Sequence, residues 1–261
     1  MNLSLSGKNA LVGGASAGIG RAVAIELAAL GANVTLLART EPALLESVAV
    51  LATGSGQQHG YIVADFSDPA ALAEKVRALC ETKTIHVLVN NTGGPPGGPI
   101  VEADAGAFLA AYHNHLICNQ LLAQAVLPGM KAAGYGRIIN IISTSVKEPL
   151  DNLGVSNSTR WAVAGWAKTW ANEAGRFGIT VNNVLPGYTG TGRLTEIIEK
   201  RASSTGRPVE AVEEQFKNSV PLRRFAEPSE VAAAVAFLAS PAAGYINGIN
   251  LPVDGGRTRS L

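Results

Sequence analysis

The chain has 261 residues, enough for one large α/β domain whose core needs neither disulfides nor metals. Its formal net charge is +1 and only 16% of its residues are charged, so no global field recruits nucleic acid or an anionic membrane. The basic stretch Arg257 to Arg259 is too short to change that. Cys80 and Cys118 form no Cys-x-x-Cys pair and sit in apolar helical stretches, which reads as buried free thiols, no metal site and a reducing, cytoplasmic compartment. Met1 to Asn9 has no signal-peptide pattern, and no segment reaches the roughly 18 apolar residues of a spanning helix.

Apolar β-rich runs alternate with helical patterns along the chain. Asn9–Gly13 predicts a first strand, and Ile19–Leu30 a helix stopped by Gly31. Asn33–Ala38 predicts a second strand, followed by a helix over Pro42–Leu51. Tyr61–Ala64 is a third strand, and Asp68 caps a helix reaching Cys80. Ile85–Val89 is a fourth strand, ending in Asn90, Asn91 and a loop, Thr92–Pro99, too rich in Gly and Pro to be regular. A long helix covers Ala105–Lys131, Arg137–Ile142 is a fifth strand, and Gly154–Arg176 a helix. Thr180–Leu185 is a sixth strand, polar helical pieces fill Gly192–Ser219, Pro228–Leu238 is a helix, and Ile249–Val253 a last strand.

This alternation implies crossover connections and a parallel sheet. Most strands are continuous apolar runs, so both sheet faces are covered. The expected fold is a doubly wound, three-layer α/β/α sheet of Rossmann type in a single domain over 1–261. Ligands of such folds bind beyond the carboxyl ends of the strands. The residues there carry the functional reading.

After the first strand comes Gly13-Gly14-Ala15-Ser16-Ala17-Gly18-Ile19-Gly20 and then a helix. Gly14, Gly18 and Gly20 allow a tight turn and close backbone approach, and Ser16, Ala17 and Ile19 offer backbone N–H groups to a pyrophosphate. The second strand ends Leu37-Ala38-Arg39-Thr40, without the carboxylate that would hold a free ribose 2′-hydroxyl. Arg39 can pair with a 2′-phosphate and Ala38 leaves room for it, so the expected cofactor is NADP(H) in preference to NAD(H).

These residues, with others along nearly the whole chain, resemble the short-chain dehydrogenase/reductase family, of the 3-oxoacyl-ACP-reductase-like kind. Asp65 is similar to the family's adenine-contacting aspartate, and Asn90-Asn91-Thr92-Gly93 to its Asn-Asn-Ala-Gly segment. Asn182, Pro186-Gly187 and Thr191 resemble the residues lining the nicotinamide half, and Gly248 with Val253-Asp254-Gly255-Gly256 the closing strand. The resemblance implies cofactor-binding roles for Asp65, Asn91, Gly93, Arg160, Pro186, Gly187 and Thr191. It also implies a substrate lid at about 192–219 and a homodimer or homotetramer. The helix carrying Trp161, Trp166 and Trp170 would then pack against a second copy.

The catalytic positions depart from the family. Gly136-Arg137-Ile138-Ile139-Asn140 fixes the register and puts the family's serine at Ser143. Thirteen residues later, where the family has tyrosine, stands Ser156, and the lysine position is Arg160. The family's active-site asparagine falls on His115, with Asn114 beside it. A serine hydroxyl is a far weaker acid than a phenol of pKa about 10, and too short to reach the phenol's place. Arg160 keeps the cation but cannot shuttle protons. His115 titrates nearest neutrality, though a histidine on an apolar helix is more often a core residue. Tyr188 could present a phenol from another side or serve as pocket wall. The expected function is carbonyl/alcohol interconversion on a small molecule. The alternatives are an NADP(H)-binding pseudoenzyme and a non-redox lyase.

Overall fold

A computed structural model describes residues 1–260. Seven strands form one parallel sheet: β1 (Asn9–Gly13), β2 (Asn33–Ala38), β3 (Gly60–Val63), β4 (Val87–Asn90), β5 (Gly136–Ile141), β6 (Ile179–Pro186) and β7 (Asn250–Val253). Their order is β3-β2-β1-β4-β5-β6-β7. The order reverses between β1 and β4, and that switch point opens a crevice at the carboxyl ends.

Side chains alternate between two cores. Ala10, Val12, Val34, Leu36, Val87 and Val89 pack with α1 (Gly18–Ala29), α2 (Glu41–Ala49) and α9 (Pro228–Ala239). Leu11, Leu37, Leu88, Ile138 and Val181 pack on the other face with α3 (Pro69–Thr82), α5 (Cys118–Ala133) and α6 (Gly154–Ala174). Most of these side chains are fully buried, each worth about 1.5–3 kcal/mol relative to exposure. Strands covered on both faces explain the continuous apolar runs.

Local signals fix the helix ends. Asp68 accepts from the Ala71 N–H at 3.0 Å to start α3, and Asp104 from the Ala107 N–H at 2.9 Å to start α4 (Ala105–Tyr112). Gly134, at φ +59°, stops α5. The long helix expected over Ala105–Lys131 contains a π-helical turn, His113–Ile117, between α4 and α5. Such a turn adds one residue to the helical repeat and re-aims the side chains around it. Two further helices, α7 (Gly192–Thr205) and α8 (Val209–Asn218), follow β6.

Four asparagines lie in register across the sheet on the α5/α6 face. Asn90 donates to Asn140 Oδ1, Asn140 to Asn183 Oδ1 and Asn183 to Asn250 Oδ1, each at 2.8 Å. Three of the four are buried, and the amide bonds satisfy all but Oδ1 of Asn90, which is buried without a partner.

Candidate active site

The glycine turn between β1 and α1 is shaped for something that approaches backbone closely. Gly14 and Gly18 have φ of +56° and +54°. A β-carbon on Gly20 would collide with the Gly14 carbonyl, and one on Gly14 would lie 2.7 Å from Asn91 Nδ2. Asn91 donates to the Gly13 carbonyl at 3.1 Å and to the Gly14 carbonyl at 3.4 Å, which fastens the turn to the end of β4. Ala17 gives α1 no side-chain cap, so the first-turn N–H groups, with Ser16 and Ile19 beside them, remain for an anion. Thr191, at the start of α7, closes the cradle: its Cγ2 is 3.2 Å from where a Gly18 β-carbon would sit. The cradle fits the pyrophosphate of a dinucleotide.

The adenosine end is open and polar. Arg39 follows β2 and is exposed. Asp65 follows β3 and accepts the Ser67 N–H at 2.9 Å. That bond holds its carboxyl below the usual range against the opposing effect of burial, with the Ser67 hydroxyl and the nearby Arg39 charge helping. At the other end, Gly187 donates to the Val253 carbonyl at 2.9 Å, and a β-carbon there would strike the Asp254 backbone at 2.7 Å, so Pro186-Gly187 is pressed against β7. Gly93 has open space around it.

Ser143 follows the carboxyl end of β5, Ser156 lies one turn before Arg160 on α6, and buried His115 is near enough to Arg160 to feel its charge. Ser143 caps a short 3₁₀ turn, Thr144–Val146, accepting the Ser145 N–H at 3.1 Å. Its own proton is therefore free for a ligand oxygen. Ser156 sits in the first turn of α6, half-buried, with no side-chain hydrogen bond to the described residues. Arg160 follows one turn later and is 8% exposed. Its Nη1 donates to the Ile141 carbonyl at 3.0 Å, and its Nη2 lies 3.7 Å from where a Gly94 β-carbon would sit. Nε is buried without a partner. Desolvation lowers the guanidinium pKa to about 10, which still leaves it a cation at neutral pH.

The π-helical turn separates the two candidates on the long helix. His115 is buried, whereas Asn114 remains half-buried. Burial, and then the charge of Arg160, push the imidazole down to about 2. His115 is therefore neutral at physiological pH and lacks the imidazolium proton a general acid would give. Tyr188 stacks on Phe216 with centroids 4.8 Å apart and meets Phe225 edge-on at 6.2 Å. The ring thus belongs to the apolar cluster under α7 and α8, beside Leu194, Ile198 and Val212.

The crevice walls contain residues that sequence reasoning did not single out. Arg193 of α7 donates to the Pro95 carbonyl at 3.1 Å, joining α7 to the Gly/Pro loop. That loop is tied to the segment before α6 by the Gly98 N–H donating to the Asn152 carbonyl at 2.8 Å. Glu148 Oε1 accepts the backbone N–H groups of Arg259 and Ser260 at 2.8 and 2.7 Å, drawing the C-terminal stretch across this wall. Arg257 lies over the Tyr188 ring, 4.6 Å from its centroid. Most of these bonds end on backbone groups, which leave no mark in side-chain patterns. Among the described residues no cluster of His, Cys, Asp and Glu could hold a metal.

Comparison with known proteins gives the same architecture. Residues 14–258 match the family model described as enoyl-(acyl carrier protein) reductase. The chain is 34% identical over 261 residues to the 3-oxoacyl-(acyl-carrier-protein) reductase FabG of Pseudomonas aeruginosa, covering 97% of this chain and 98% of that one. It is also 34% identical over 279 residues to the cyclohexanol dehydrogenase of a Rhodococcus species, covering 99% of each. Among solved structures it superposes with a TM-score of 0.93 on the L-sorbose reductase of Gluconobacter frateurii, complexed with NADPH and L-sorbose, at 30% identity and full coverage of both chains.

Proposed function

The chain belongs to the short-chain dehydrogenase/reductase family, and from that premise we propose that it is an NADP(H)-dependent oxidoreductase. In this reading it interconverts a carbonyl and an alcohol on a small molecule, through a site lacking the family's tyrosine and lysine. The observation that carries the reading is the pairing of an intact glycine cradle with an exposed Arg39 and no carboxylate at the end of β2. The NADPH-bound sorbose reductase and the FabG relative support it. Bound NADPH would supply a hydride.

The chain's own residues would bind, orient and stabilise. The first turn of α1, with Gly14, Gly18, Gly20 and Thr191, holds the pyrophosphate, while Arg39 takes the 2′-phosphate and Asp65 the adenine. Asn91, Gly93, Pro186 and Gly187 shape the nicotinamide end. Ser143 donates to the reacting oxygen, and Arg160 meets the negative charge that develops on it from a desolvated position where such a contact is strongest. Neither Ser156 nor neutral His115 is the acid, so the proton comes from water, with the Ser156 hydroxyl able to orient it. Tyr188 is a wall of the substrate space.

The loss of the tyrosine favours a second reading, an NADP(H)-binding pseudoenzyme that senses cofactor. NADPH oxidation across a panel of ketones, aldehydes and β-ketoacyl thioesters separates the two. Turnover with any of them supports the enzyme, whereas tight NADPH binding with no turnover, and activity gained by Ser156→Tyr/Arg160→Lys, supports the pseudoenzyme. Exposed Leu109, Tyr112 and Trp161 on α4 and α6 support a homodimer or homotetramer formed through this face. The free thiols Cys80 and Cys118 suit a cytoplasmic setting, and no helix among the described residues is long and apolar enough to cross a membrane.

A further inference from the structure

Arg160 is a buried cation for which the described residues provide no counter-ion. It forms no salt bridge with any described residue, and its pKa is moved by desolvation with no carboxylate drawing it back. His115, which feels its charge, is neutral, pushed down by burial and then by the guanidinium. An isolated buried charge costs several kcal/mol, and a fold retains one only where something else offsets it. In the family relationship described above, a cation at this position accompanies a phenol. Here the phenol is replaced by Ser156, an uncharged hydroxyl that cannot neutralise it.

The way the guanidinium is held says which of its donors are unspent. Nη1 is committed to the Ile141 carbonyl at 3.0 Å. Nε, buried, has no partner, and Nη2 donates to no described group and lies toward Gly94 in the crevice loop. Nε and Nη2 form the side edge of the fork, whose two parallel N–H bonds match two oxygens held in one plane. Ser143, with its proton free, stands at the end of the same strand that supplies the Ile141 anchor. Neutral ribose hydroxyls could take one of these donors but would leave the charge uncompensated. A second cation, Arg257, lies over the Tyr188 ring on the other wall. The carboxylate on the first wall, Glu148, is already engaged by the Arg259 and Ser260 N–H groups.

We propose that the substrate reaches this site as a planar, delocalised oxyanion, a carboxylate next to the reacting carbonyl or the enolate of an acidic 1,3-dicarbonyl, and that the Nε/Nη2 edge of Arg160 binds it side-on. The proposal deepens the reading of this crevice as the substrate site and rests on it. It makes the substrate part of the electrostatic structure of the site. The bound anion completes an ion pair that the described residues leave half-built, and a neutral carbonyl compound of the same shape leaves the guanidinium unpaired.

The test is binding to the protein saturated with NADP⁺, read by calorimetry. Pyruvate is compared with methyl pyruvate, and 1,3-cyclohexanedione, ionised at neutral pH, with cyclohexanone. At least one anion should bind about 10- to 100-fold more tightly than its neutral counterpart, as expected for a charge-assisted pair. Which pair shows the difference tells carboxylate from enolate. Arg160→Gln should bring the ratio to about one, and Arg160→Lys, which keeps the charge but loses the fork, should restore only part of it. A native circular dichroism spectrum and a single cooperative unfolding transition in the variants show that they fold. Equal affinity of anion and neutral counterpart in the wild type, or no binding of either anion up to millimolar concentration, overturns the proposal. Failure of the wild type to bind NADP⁺ at all would instead overturn the oxidoreductase reading.

Discussion

Arg160 donates through Nη1 to the carbonyl of Ile141 at 3.0 Å, so a residue of α6 is anchored to the last residue of β5. The bond fixes where the buried charge sits without neutralising it. Arg160→Met keeps much of the volume and removes the charge. It should raise the melting temperature of the ligand-free protein, because replacing an unpaired buried cation by an apolar side chain is stabilising by about 1–4 kcal/mol where a buried ion pair is concerned. The same variant should lose roughly 10²–10³ in rate, the usual cost of one well-placed donor to a developing oxyanion. Thermal unfolding and NADPH oxidation measured on one preparation check both halves.

Ser156 is half-buried with no hydrogen-bonding partner among the described residues, and it is not placed to act as an acid. Ser156→Ala should cost less than about tenfold in kcat, since an oriented water, and not the hydroxyl, carries the proton. Ser156→Tyr puts a phenol one helical turn from a cation, and its activity should equal or exceed that of wild type. A Ser156→Ala variant with no activity, from a wild type that has plenty, would disprove the water route.

Arg39 and Asp65 stand at the ends of adjacent strands, close enough for the guanidinium to depress the carboxyl. NADPH should bind more tightly than NADH by about 1.5–3 kcal/mol, the range for a hydrogen bond to a charged group. Arg39→Asp should reverse the order by repelling the 2′-phosphate. Equal affinities of the wild type in fluorescence titrations would rule out this assignment.

The His115 imidazole is held near pKa 2 by burial and by Arg160, against an ordinary value of 6.5. The folded state therefore refuses a proton that the unfolded chain accepts below pH 6.5. Its neutral burial carries no penalty above pH 6.5, and stability is lost progressively as pH falls from there toward 2. His86 is shifted in the same direction by burial and Lys8, so the useful measurement is a difference. The stability gap between wild type and His115→Asn should move in favour of the variant as pH drops from 7 to 4. A gap independent of pH in urea unfolding would contradict the neutral assignment.

Trp166 and Trp170 both donate to Gln120 Oε1, at 2.7 and 2.9 Å, and point inward. Trp161 donates to the Ser145 carbonyl at 2.9 Å yet leaves half its surface exposed, as do Leu109 and Tyr112 of α4 in large part. Trp161→Glu should shift the assembly toward monomer in light scattering at micromolar concentration. A wild type that is already monomeric there would end the proposal of a homo-oligomer.

The strands β1 and β2 are legible residue for residue, because continuous apolar runs bounded by Gly and Asn have no helical reading of similar quality. The glycine turn is legible for the same reason: spacing and flanking elements fix its geometry. What the spacing does not reveal is the π-helical turn at His113–Ile117, since an inserted residue leaves the apolar pattern of so long a helix almost unchanged. That turn is what buries His115 and leaves Asn114 half out. The grip of Glu148 on Arg259 and Ser260 was equally invisible, because a carboxylate meeting backbone N–H groups more than a hundred residues away has no motif. The three tryptophans read as one packing surface, and only the fold shows that two of them are already satisfied within the chain.

The row of asparagines has a direction as well as a register. Asn90 only donates along it, Asn250 only accepts, and Asn140 and Asn183 do both. Aspartate, nearly the same shape, is thus an acceptable isostere only at Asn250, the exposed end, where accepting is all that is asked and water can solvate the charge. At Asn140 or Asn183 the same one-atom change would silence a donor and strand a buried charge in the middle of the sheet. Slow deamidation is that very change. The fold therefore tolerates this ageing where it is exposed, at Asn250, and shields the centre of the row, where it would be ruinous, inside rigid, buried strands.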